Sequence, residues 1–326
     1  MTQLLFTCDW GTTHFRLKAI EPTTGRSLVE LQSDDGVARL SQGDAAGRCD
    51  RFQWVLASAI ERLTQQLGSE TRGANCVVSG MASSSVGWRE LPYARVPVSV
   101  EGQGLIVESL PPIEGRQGPH RVWLVSGIRS DRDIMRGEET QLIGLFDLAS
   151  ASQLAAGCLV ILPGTHSKHV IIEGGRITGF QTFMTGELFD VLANHSLLKH
   201  SVGESETAGD QTHDPSAFLA GVKLAQSVSL SAALFRVRTR QVLDGLPPAS
   251  NRALLSGLLI GSELAELTRP TSIRVPLILC ATSPLAGRYR EAAAELALTE
   301  RLTVIAPSDV DRLTALGHAR ILAQAG

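Results

Sequence analysis

The chain opens with short apolar segments of strand length and then changes to a helical period. Leu4–Cys8 is a short apolar run, and His14–Ile20 alternates apolar with polar positions, as a half-buried strand does. After a turn at Thr24-Gly25, Ser27–Gln32 is predicted to form a third strand. Between residues 52 and 67 the apolar residues recur at helical spacing, which predicts an amphipathic helix with one buried face.

The opening pattern begins again near the middle of the chain. Cys158–Leu162 is an apolar strand, a turn with a Gly-Thr pair follows, and strands are predicted at Lys168–Glu173 and Arg176–Phe180. Gly11 and Gly164 then occupy equivalent turns. A repeated order of elements at half the chain length predicts two domains of one topology, although two unrelated meanders would produce the same order.

The remaining segments alternate between strand length and helix length. The segments 103–120 and 203–214 are rich in turn-forming residues, which predicts a connection and a mobile loop, respectively. Further strands are predicted at Asn75–Met81, Arg121–Ile128, Val275–Cys280 and Leu302–Ala306, and further helices at Glu138–Leu148, Thr185–Leu198, Pro215–Gln226, Arg252–Leu267, Pro284–Leu298 and Ser308–Ala323.

Composition narrows the classes of function. The chain has 326 residues, 43% of them hydrophobic, and a net charge of −3, which argues against binding of nucleic acid or of an anionic membrane. No apolar run is long enough to span a bilayer, and the N-terminus lacks the basic region of a signal peptide. The five cysteines are scattered, which is typical of a reduced, cytoplasmic protein.

The turn after the first strand is the first candidate site. Backbone N–H groups and hydroxyls in a tight Gly/Thr turn form a concave site for phosphate oxygens, and an Asp at the strand end can hold hydrated Mg²⁺. The alternative is a plain hairpin with a polar turn. The candidate residues are Asp9, Gly11, Thr12 and Thr13.

The equivalent turn in the second half is the second candidate site. Two such turns, one in each half, would bind the phosphate tail of a nucleotide, and a lysine adds a positive charge. The imidazole in this turn and the lysine after it have structural alternatives, as a hydrogen-bonded core histidine and a solvated strand residue. The candidates are Gly164, Thr165, His166 and Lys168.

Two further segments supply candidate chemistry. Glu138 and Glu139 begin a predicted helix, where acids are either partners of the helix dipole or a general base for a substrate hydroxyl. Arg136 beside them is a candidate for a carboxylate or phosphate of the substrate. A loop of small residues after a buried strand lines a polar pocket or merely connects two strands; its candidates are Ser83, Ser84, Ser85, Gly87 and Trp88.

These segments together resemble a known family. The paired turns are similar to the phosphate motifs of the actin-like ATPase superfamily, and the longer motifs resemble the 2-dehydro-3-deoxygalactonokinase (2-keto-3-deoxygalactonate kinase) family. The resemblance extends over nearly the whole chain. It rests on Asp9–Thr13, Gly80–Trp88 with Pro92-Tyr93, Met135–Gly144, Pro163–Lys168, Met184–Leu188 and Leu255–Gly261.

The resemblance implies an α/β fold with two ribonuclease H-like domains, 1–148 and 149–326, around an interdomain cleft, with the last helix packing back on the first domain. It implies transfer of a phosphoryl group from ATP, with Mg²⁺, to the 6-hydroxyl of the small sugar acid 2-dehydro-3-deoxy-D-galactonate. Glu138 is then the first choice for general base, Glu139 the second, and Asp9 the residue that organises Mg²⁺.

One position departs from the family pattern. Near the C-terminus the family usually has Gly-Thr-Ser against adenosine, and here Ala281 precedes Thr282.

Three alternative functions stay open: a kinase of another sugar acid or hexose, an actin-like ATPase switch, and a sugar-binding regulator. The sequence does not determine the oligomeric state.

Overall fold

The computed structural model describes residues 3–42, 47–145, 147–148, 153, 156–203, 214–269 and 272–325. The loop expected at 203–214 lies outside these residues, apart from its two ends. The described elements form a mixed α/β fold with two six-stranded sheets and one three-stranded sheet. The strands are β1 Leu5–Trp10, β2 Phe15–Glu21, β3 Arg26–Ser33, β4 Asn75–Gly80, β5 Ala94–Arg95, β6 Val98–Ser99, β7 Val107–Ile113, β8 His120–Val125, β9 Ile128–Arg129, β10 Ile134–Met135, β11 Cys158–Leu162, β12 Ser167–Glu173, β13 Arg176–Phe183, β14 Leu277–Leu279 and β15 Leu302–Val304.

The α-helices lie between these strands and after the last of them. Short 3₁₀ turns connect several of them. In the described residues the α-helices are α1 Val37–Leu40, α2 Arg48–Leu67, α3 Glu138–Leu145, α4 Thr185–His195, α5 Lys199–Val202, α6 Pro215–Ser227, α7 Leu230–Asp244, α8 Pro248–Ala265, α9 Leu285–Glu295, α10 Pro307–Val310 and α11 Leu313–Ala325.

The two large sheets share one strand order. The first runs β3-β2-β1-β4-β8-β7, with β1 antiparallel to β2 and parallel to β4. The second runs β15-β14-β11-β12-β13-β6, so β13, β12, β11, β14 and β15 repeat the order of β3, β2, β1, β4 and β8. Each sheet carries one extra edge strand. This repetition confirms the predicted fold class, two domains of ribonuclease H-like topology.

The described residues form two compact units. Unit 1 lies within Met1–Gly157, Ile171–Phe180 and Ser308–Gly326, and unit 2 lies within Cys158–Val170 and Gln181–Pro307. The last helix, α11, therefore belongs to unit 1. The simpler boundary after residue 148, expected from the sequence, stays a prediction.

The predicted apolar stripe of α2 covers one face of the first sheet. Phe52, at the start of this stripe, is fully buried, and it contacts Trp10 with ring centroids 4.8 Å apart. Trp10 also contacts Phe15 and Trp88. This aromatic cluster anchors the end of β1 and the loop after β4, which both carry candidate site residues.

Helix α11 packs directly on α3. A Cβ on Gly144 would lie 1.9 Å from the carbonyl oxygen of Leu313, and a Cβ on Gly317 would lie 2.0 Å from that of Thr140. Backbones this close leave no room for side chains at either glycine. The C-terminal helix thereby holds α3, whose first residues are the candidate acids.

Several regions differ from the sequence-based expectation. The segment 103–120, expected to be a connection, contains β7, an edge strand whose register shifts between Leu110 and Ile113. Pro111 and Pro112 lie at this irregularity, and an edge position tolerates their missing N–H groups. The helix expected at 308–323 is divided into α10 and α11.

Helix α7 was not predicted at all. Its buried residues are Ala233 and Val237, so it lacks a wide apolar stripe. Three arginines between residues 236 and 240 interrupt the hydrophobic period. A helix that buries so narrow a face has a weak sequence signal.

The five cysteines differ in burial. Cys8, Cys76, Cys158 and Cys280 are buried and Cys49 is exposed, and all five thiols are free. Among the described residues, no helix is both long enough and apolar enough to cross a membrane.

The buried ring of His318 is expected to make the folded protein less stable in acid. Its ring in α11 is fully buried, and neither nitrogen has a hydrogen-bond partner among the described residues. Burial lowers the pKa of His318 from 6.5 to about 3. Between these values the unfolded chain binds a proton that the folded chain does not. The free energy of unfolding is therefore expected to fall as the pH drops below 6.5, by about 1.4 kcal/mol per pH unit.

Denaturant unfolding of the wild type and of His318→Leu between pH 7 and pH 4 measures this slope. The variant is expected to lose stability less steeply, and the exposed His200→Gln serves as the control with the wild-type slope. Parallel curves for the wild type and His318→Leu would contradict the assignment.

Candidate active site

Asp9 lies at the carboxyl end of β1, where the chain leaves the first sheet. Its side chain is 36% exposed and pairs with Arg16 on β2, with 3.6 Å between Oδ2 and Nη1. Gly80 ends the neighbouring strand at φ +87°, and a Cβ there would lie 2.6 Å from the Trp10 carbonyl and 3.4 Å from Oδ1 of Asp9. Glycine is therefore required at position 80, because a Cβ would overlap the Trp10 carbonyl and the φ is positive.

The turn after Asp9 is rigid and presents exposed hydroxyls. The N–H of Gly11 donates to the His14 carbonyl at 2.9 Å, and the N–H of Ala38 in α1 donates to the Thr12 carbonyl at 2.9 Å. Thr12 and Thr13 are exposed. The turn is therefore held by its backbone while its side chains face solvent, as a phosphate-binding turn requires.

The two acids at the start of α3 differ in exposure. Glu138 is half-buried, and its Oε2 accepts a hydrogen bond from the N–H of Arg136 at 3.1 Å. Glu139 is fully buried, and both its oxygens accept from the N–H of Gly137, at 2.7 and 2.9 Å. Consecutive helix residues diverge by about 100°, so one faces the surface and the other the interior.

The charge of Glu138 affects the pKa values of two neighbouring carboxyl groups, Glu139 and Asp9. Burial, with the charge of Glu138 in addition, raises the pKa of Glu139 to about 8. Burial also raises the pKa of Asp9, Arg16 counteracts part of this shift, and Glu138 adds to it. Asp9 thus lies within the electrostatic field of Glu138. Gly137 is also close to the end of β4, since a Cβ on it would lie 3.5 Å from Cα of Gly80.

Arg136 is bound within its own unit. Its guanidinium donates to the carbonyl of Ser83 at 2.7 Å and to the Ser83 hydroxyl, and it lies 4.2 Å from the ring centroid of Tyr93. These contacts hold the loop after β4 against β10. They show a structural function, while the predicted contact of Arg136 with substrate stays a prediction.

The loop after β4 places its five candidate residues unequally. The hydroxyls of Ser83 and Ser84 are buried and donate to the carbonyls of Val125 and Met81, both at 2.7 Å. Ser85 is exposed. The other two have packing functions: Gly87 lies against the backbone of residues 81 and 82, and Trp88 belongs to the aromatic cluster.

The second turn lies in unit 2, between β11 and β12. Gly164, Thr165 and His166 are exposed, and a Cβ on Gly164 would meet no atom within 4 Å. The start of α4 supports the turn from behind, because a Cβ on Gly186 would lie 2.5 Å from the Gly164 carbonyl. The N–H of Glu187 donates to the Thr165 carbonyl at 3.0 Å. The open side of the turn is thus available to a ligand.

Two candidates in this turn have partners of their own. Nε2 of His166 lies 2.5 Å from Oε2 of Glu187, in an exposed pair. Lys168 is buried, and its ammonium group donates to the His166 carbonyl at 2.9 Å. The lysine is therefore not the solvated strand residue that was its alternative.

A pocket of about 480 Å³ opens beside the turn. Its walls come from the turn, from α4, from α8 and from α9. Its polar lining includes Thr165, Thr185, Glu187, Ser256, Arg288 and Tyr289. A volume of this order is typical of small-molecule sites.

The predicted adenosine-side residues lie just before α9. Ala281 is buried in the core of unit 2, and Thr282 is exposed. The backbone at Ala281 does not have a positive φ. An alanine therefore fits this turn without strain, and glycine is not required there.

Several pocket residues were not among the sequence-based candidates. Thr185 and Glu187 lie in the Met184–Leu188 motif, which carried the resemblance without receiving a function. Arg288 and Tyr289 follow the Ala281 turn on α9. Neither spacing nor composition marked Arg288 and Tyr289 in the sequence.

Comparison with known proteins identifies relatives of this chain. The sequence model of the family described as 2-keto-3-deoxy-galactonokinase matches residues 9–318. The chain is 33% identical over 300 residues to a candidate 2-dehydro-3-deoxygalactonokinase of Rhizobium meliloti (strain 1021), with 90% of each chain covered. It is 32% identical over 297 residues to the 2-dehydro-3-deoxygalactonokinase of Escherichia coli (strain K12), again with 90% of each covered.

A solved structure supports the same relationship. The crystal structure of a candidate 2-dehydro-3-deoxygalactonokinase from Sinorhizobium meliloti superposes with a TM-score of 0.75 at 30% identity, covering 98% of this chain and 99% of that one. The match of the family model extends from Asp9, at the first turn, to His318 in the last helix. The chain belongs to the 2-keto-3-deoxy-galactonokinase family.

Proposed function

We propose that the protein transfers the γ-phosphoryl group of ATP to the 6-hydroxyl of 2-dehydro-3-deoxy-D-galactonate, giving 2-dehydro-3-deoxy-6-phospho-D-galactonate and ADP. The observation that carries this proposal is the carboxylate pair of Asp9 and Glu138 beside the exposed hydroxyls of Thr12 and Thr13. A base, a metal-binding acid and a phosphate-binding turn are what such a transfer needs.

Glu138 is the proposed general base. The sugar hydroxyl oxygen attacks the γ-phosphorus, its proton passes to the Glu138 carboxylate, and the bond between the γ-phosphorus and the bridging oxygen of ADP breaks. Glu138 is half-buried at the start of α3, whereas the carboxyl group of Glu139 is enclosed and has a pKa of about 8. The greater exposure of Glu138 therefore favours it over Glu139 as the general base.

Asp9 fits a magnesium ion that arrives with the nucleotide. Mg²⁺ keeps several waters and binds through one or two carboxylates, and Asp9 presents a partly exposed carboxylate next to the turn of Gly11–Thr13. When bound, Mg²⁺ neutralises charge on the phosphates. The raised pKa of Asp9 fits a carboxylate that a cation would stabilise in its charged form.

Unit 2 carries the proposed binding site for the nucleotide. The backbone of Gly164 and Thr165 would bind the β-phosphate, with His166 and Lys168 adding donors and charge. The pocket beside this turn would take the rest of the nucleotide. The exposed Ser85 and the half-buried Arg136 are the remaining candidates for the sugar acid.

A coupled assay of ADP release tests the function. Mg·ATP is supplied with 2-dehydro-3-deoxy-D-galactonate, with its gluconate epimer, or without a sugar. Release that depends on the galactonate compound is expected. Release with the gluconate epimer alone would indicate a kinase of another sugar acid, and sugar-independent release would indicate an ATPase switch.

Asp9→Asn is expected to lower kcat and to raise the Mg²⁺ concentration needed for half-maximal activity by about 10-fold or more, because a neutral amide binds Mg²⁺ less well than a carboxylate does. A magnesium titration of the coupled assay measures this shift. Asp34→Asn, at an exposed acid beside His14, is the matched control. An unchanged magnesium dependence in Asp9→Asn would remove Asp9 from the metal site.

A further inference from the structure

A buried carboxylate in α8 collects hydrogen bonds from three other elements of unit 2. Oε1 of Glu263 accepts from the hydroxyl of Ser167 at 2.7 Å and from Nε2 of His169 at 2.9 Å. Oε2 accepts from the hydroxyls of Thr185 at 2.5 Å and Tyr289 at 2.8 Å. Each oxygen thus has two donors, which is the full capacity of an ionised carboxylate.

The network keeps Glu263 charged although its side chain is only 1% exposed. Burial alone would raise the pKa of Glu263, but the hydrogen bonds from His169, Thr185 and Ser167 outweigh burial and hold the pKa below its ordinary value. A neutral glutamine could not satisfy the same four donors, because one of its two terminal atoms is itself a donor.

Two of the four donors line the pocket in unit 2, and the other two lie on β12, the strand that follows the turn. Ser167 follows directly on the Gly164–His166 turn. Thr185 opens α4, whose next residue, Gly186, packs on the backbone of that turn. Thr185 and Tyr289 themselves line the pocket. Glu263 is therefore bonded to the strand that follows the turn, to the helix that supports the turn and to α9, which also lines the pocket.

Stability alone does not account for a charged group at this place. Withdrawing a carboxylate from water costs several kcal/mol, and well-packed apolar residues of similar volume are often as stable as a buried charged network or more so. What an apolar side chain would not supply is a set of four directional bonds that sets the relative positions of β12, α4 and α9.

We propose that Glu263 is a positioning residue for the nucleotide, holding the Gly164–His166 turn, Thr185 and Tyr289 in the geometry that binds the polyphosphate. This inference rests on the proposed function, since it takes the ligand of the pocket to be a nucleotide. Glu263 does not line that pocket among the described residues, and it acts through its four partners.

Glu263→Gln tests the proposal. By isothermal titration of Mg·ADP without any sugar, the dissociation constant is expected to rise by about 10-fold or more, the effect of losing one or two bonds to a charged group. In the coupled assay KM for ATP is expected to rise while KM for the sugar acid stays unchanged. Asn251→Ala, at a buried polar residue of the same helix that bonds to the Ser201 carbonyl, is the control; it is expected to lower the melting temperature without changing ADP affinity.

A milder variant covers the case in which Glu263→Gln does not fold. Ser167→Ala removes one donor from a fully buried position that does not line the pocket, and it is expected to weaken ADP binding in the same direction by about 3-fold or more. Wild-type ADP affinity in a folded Glu263→Gln or in Ser167→Ala would overturn the proposal, as would a loss of kcat with both KM values unchanged. A wild type that binds ADP but phosphorylates no sugar acid would refute the proposed reaction and leave this positioning function standing.

Discussion

Replacing Glu138 with glutamine is expected to lower kcat by about 10²–10⁴-fold, the usual contribution of a general base. The amide keeps the size of the side chain and can still accept the hydrogen bond from the Arg136 N–H, so the start of α3 stays in place. It cannot accept the proton of the sugar hydroxyl. Coupled ADP release measures the loss, and titration with Mg·ADP is expected to show wild-type affinity, since the proposed nucleotide site lies in unit 2.

Glu139→Gln distinguishes the two acids. With a pKa of about 8, Glu139 is largely protonated at pH 7, and a glutamine oxygen can still accept from the N–H of Gly137. The loss of kcat is therefore expected to be much smaller than in Glu138→Gln. If Glu139→Gln is the inactive variant and Glu138→Gln turns over normally, the base is Glu139.

Gly257→Ala is expected to cause a large loss of stability. Helices α6 and α8 meet at their backbones, and a Cβ on Gly257 would lie 1.9 Å from the Phe218 carbonyl oxygen. Backbone cannot move aside as a flexible side chain can, so the helices must separate. Overpacking of this kind costs about 3 kcal/mol. Denaturant unfolding of the wild type and of the variant measures the difference.

Gly287→Ala is the matched control. Gly287 lies in α9, and a Cβ there would meet no atom within 4 Å. Alanine in an open helical position is expected to stabilise the protein by about 0.5–1 kcal/mol, because the unfolded chain loses conformational freedom. Equal unfolding midpoints for Gly257→Ala and the wild type would show that the contact between α6 and α8 adjusts without cost.

Elements with a clear period were predicted closely. The stripe from Phe52 to Leu63 is buried as expected, and β11 has the predicted bounds. Strand β7 and helix α7 were missed for opposite reasons. Two prolines argue against a strand in β7, although an edge strand tolerates them. Three arginines interrupt the apolar period of α7, a helix that buries only a narrow face.

The candidate site also combines features that depend on neighbouring residues with features that depend on residues far apart in the chain. The Gly11 and Gly164 turns were predicted from the sequence because a phosphate-binding turn of this kind is made of consecutive Gly and Thr residues. The partners of Arg136 and Lys168 were not predictable, since they depend on which carbonyl groups the fold brings to each cation. The Glu263 network is a clearer case, because its donors lie 96, 94, 78 and 26 residues away along the chain.

The amino-acid sequence by itself determined the repeated order of strands and turns, the family, and the segments that carry the chemistry, because hydrophobic period and turn chemistry are local properties. Only the tertiary structure decided which of two adjacent acids is enclosed, and that Glu263 connects β12, α4 and α9. Exposure and hydrogen-bond partners depend on how distant segments pack, and the free energy of a buried charge depends on every donor that packing brings to it.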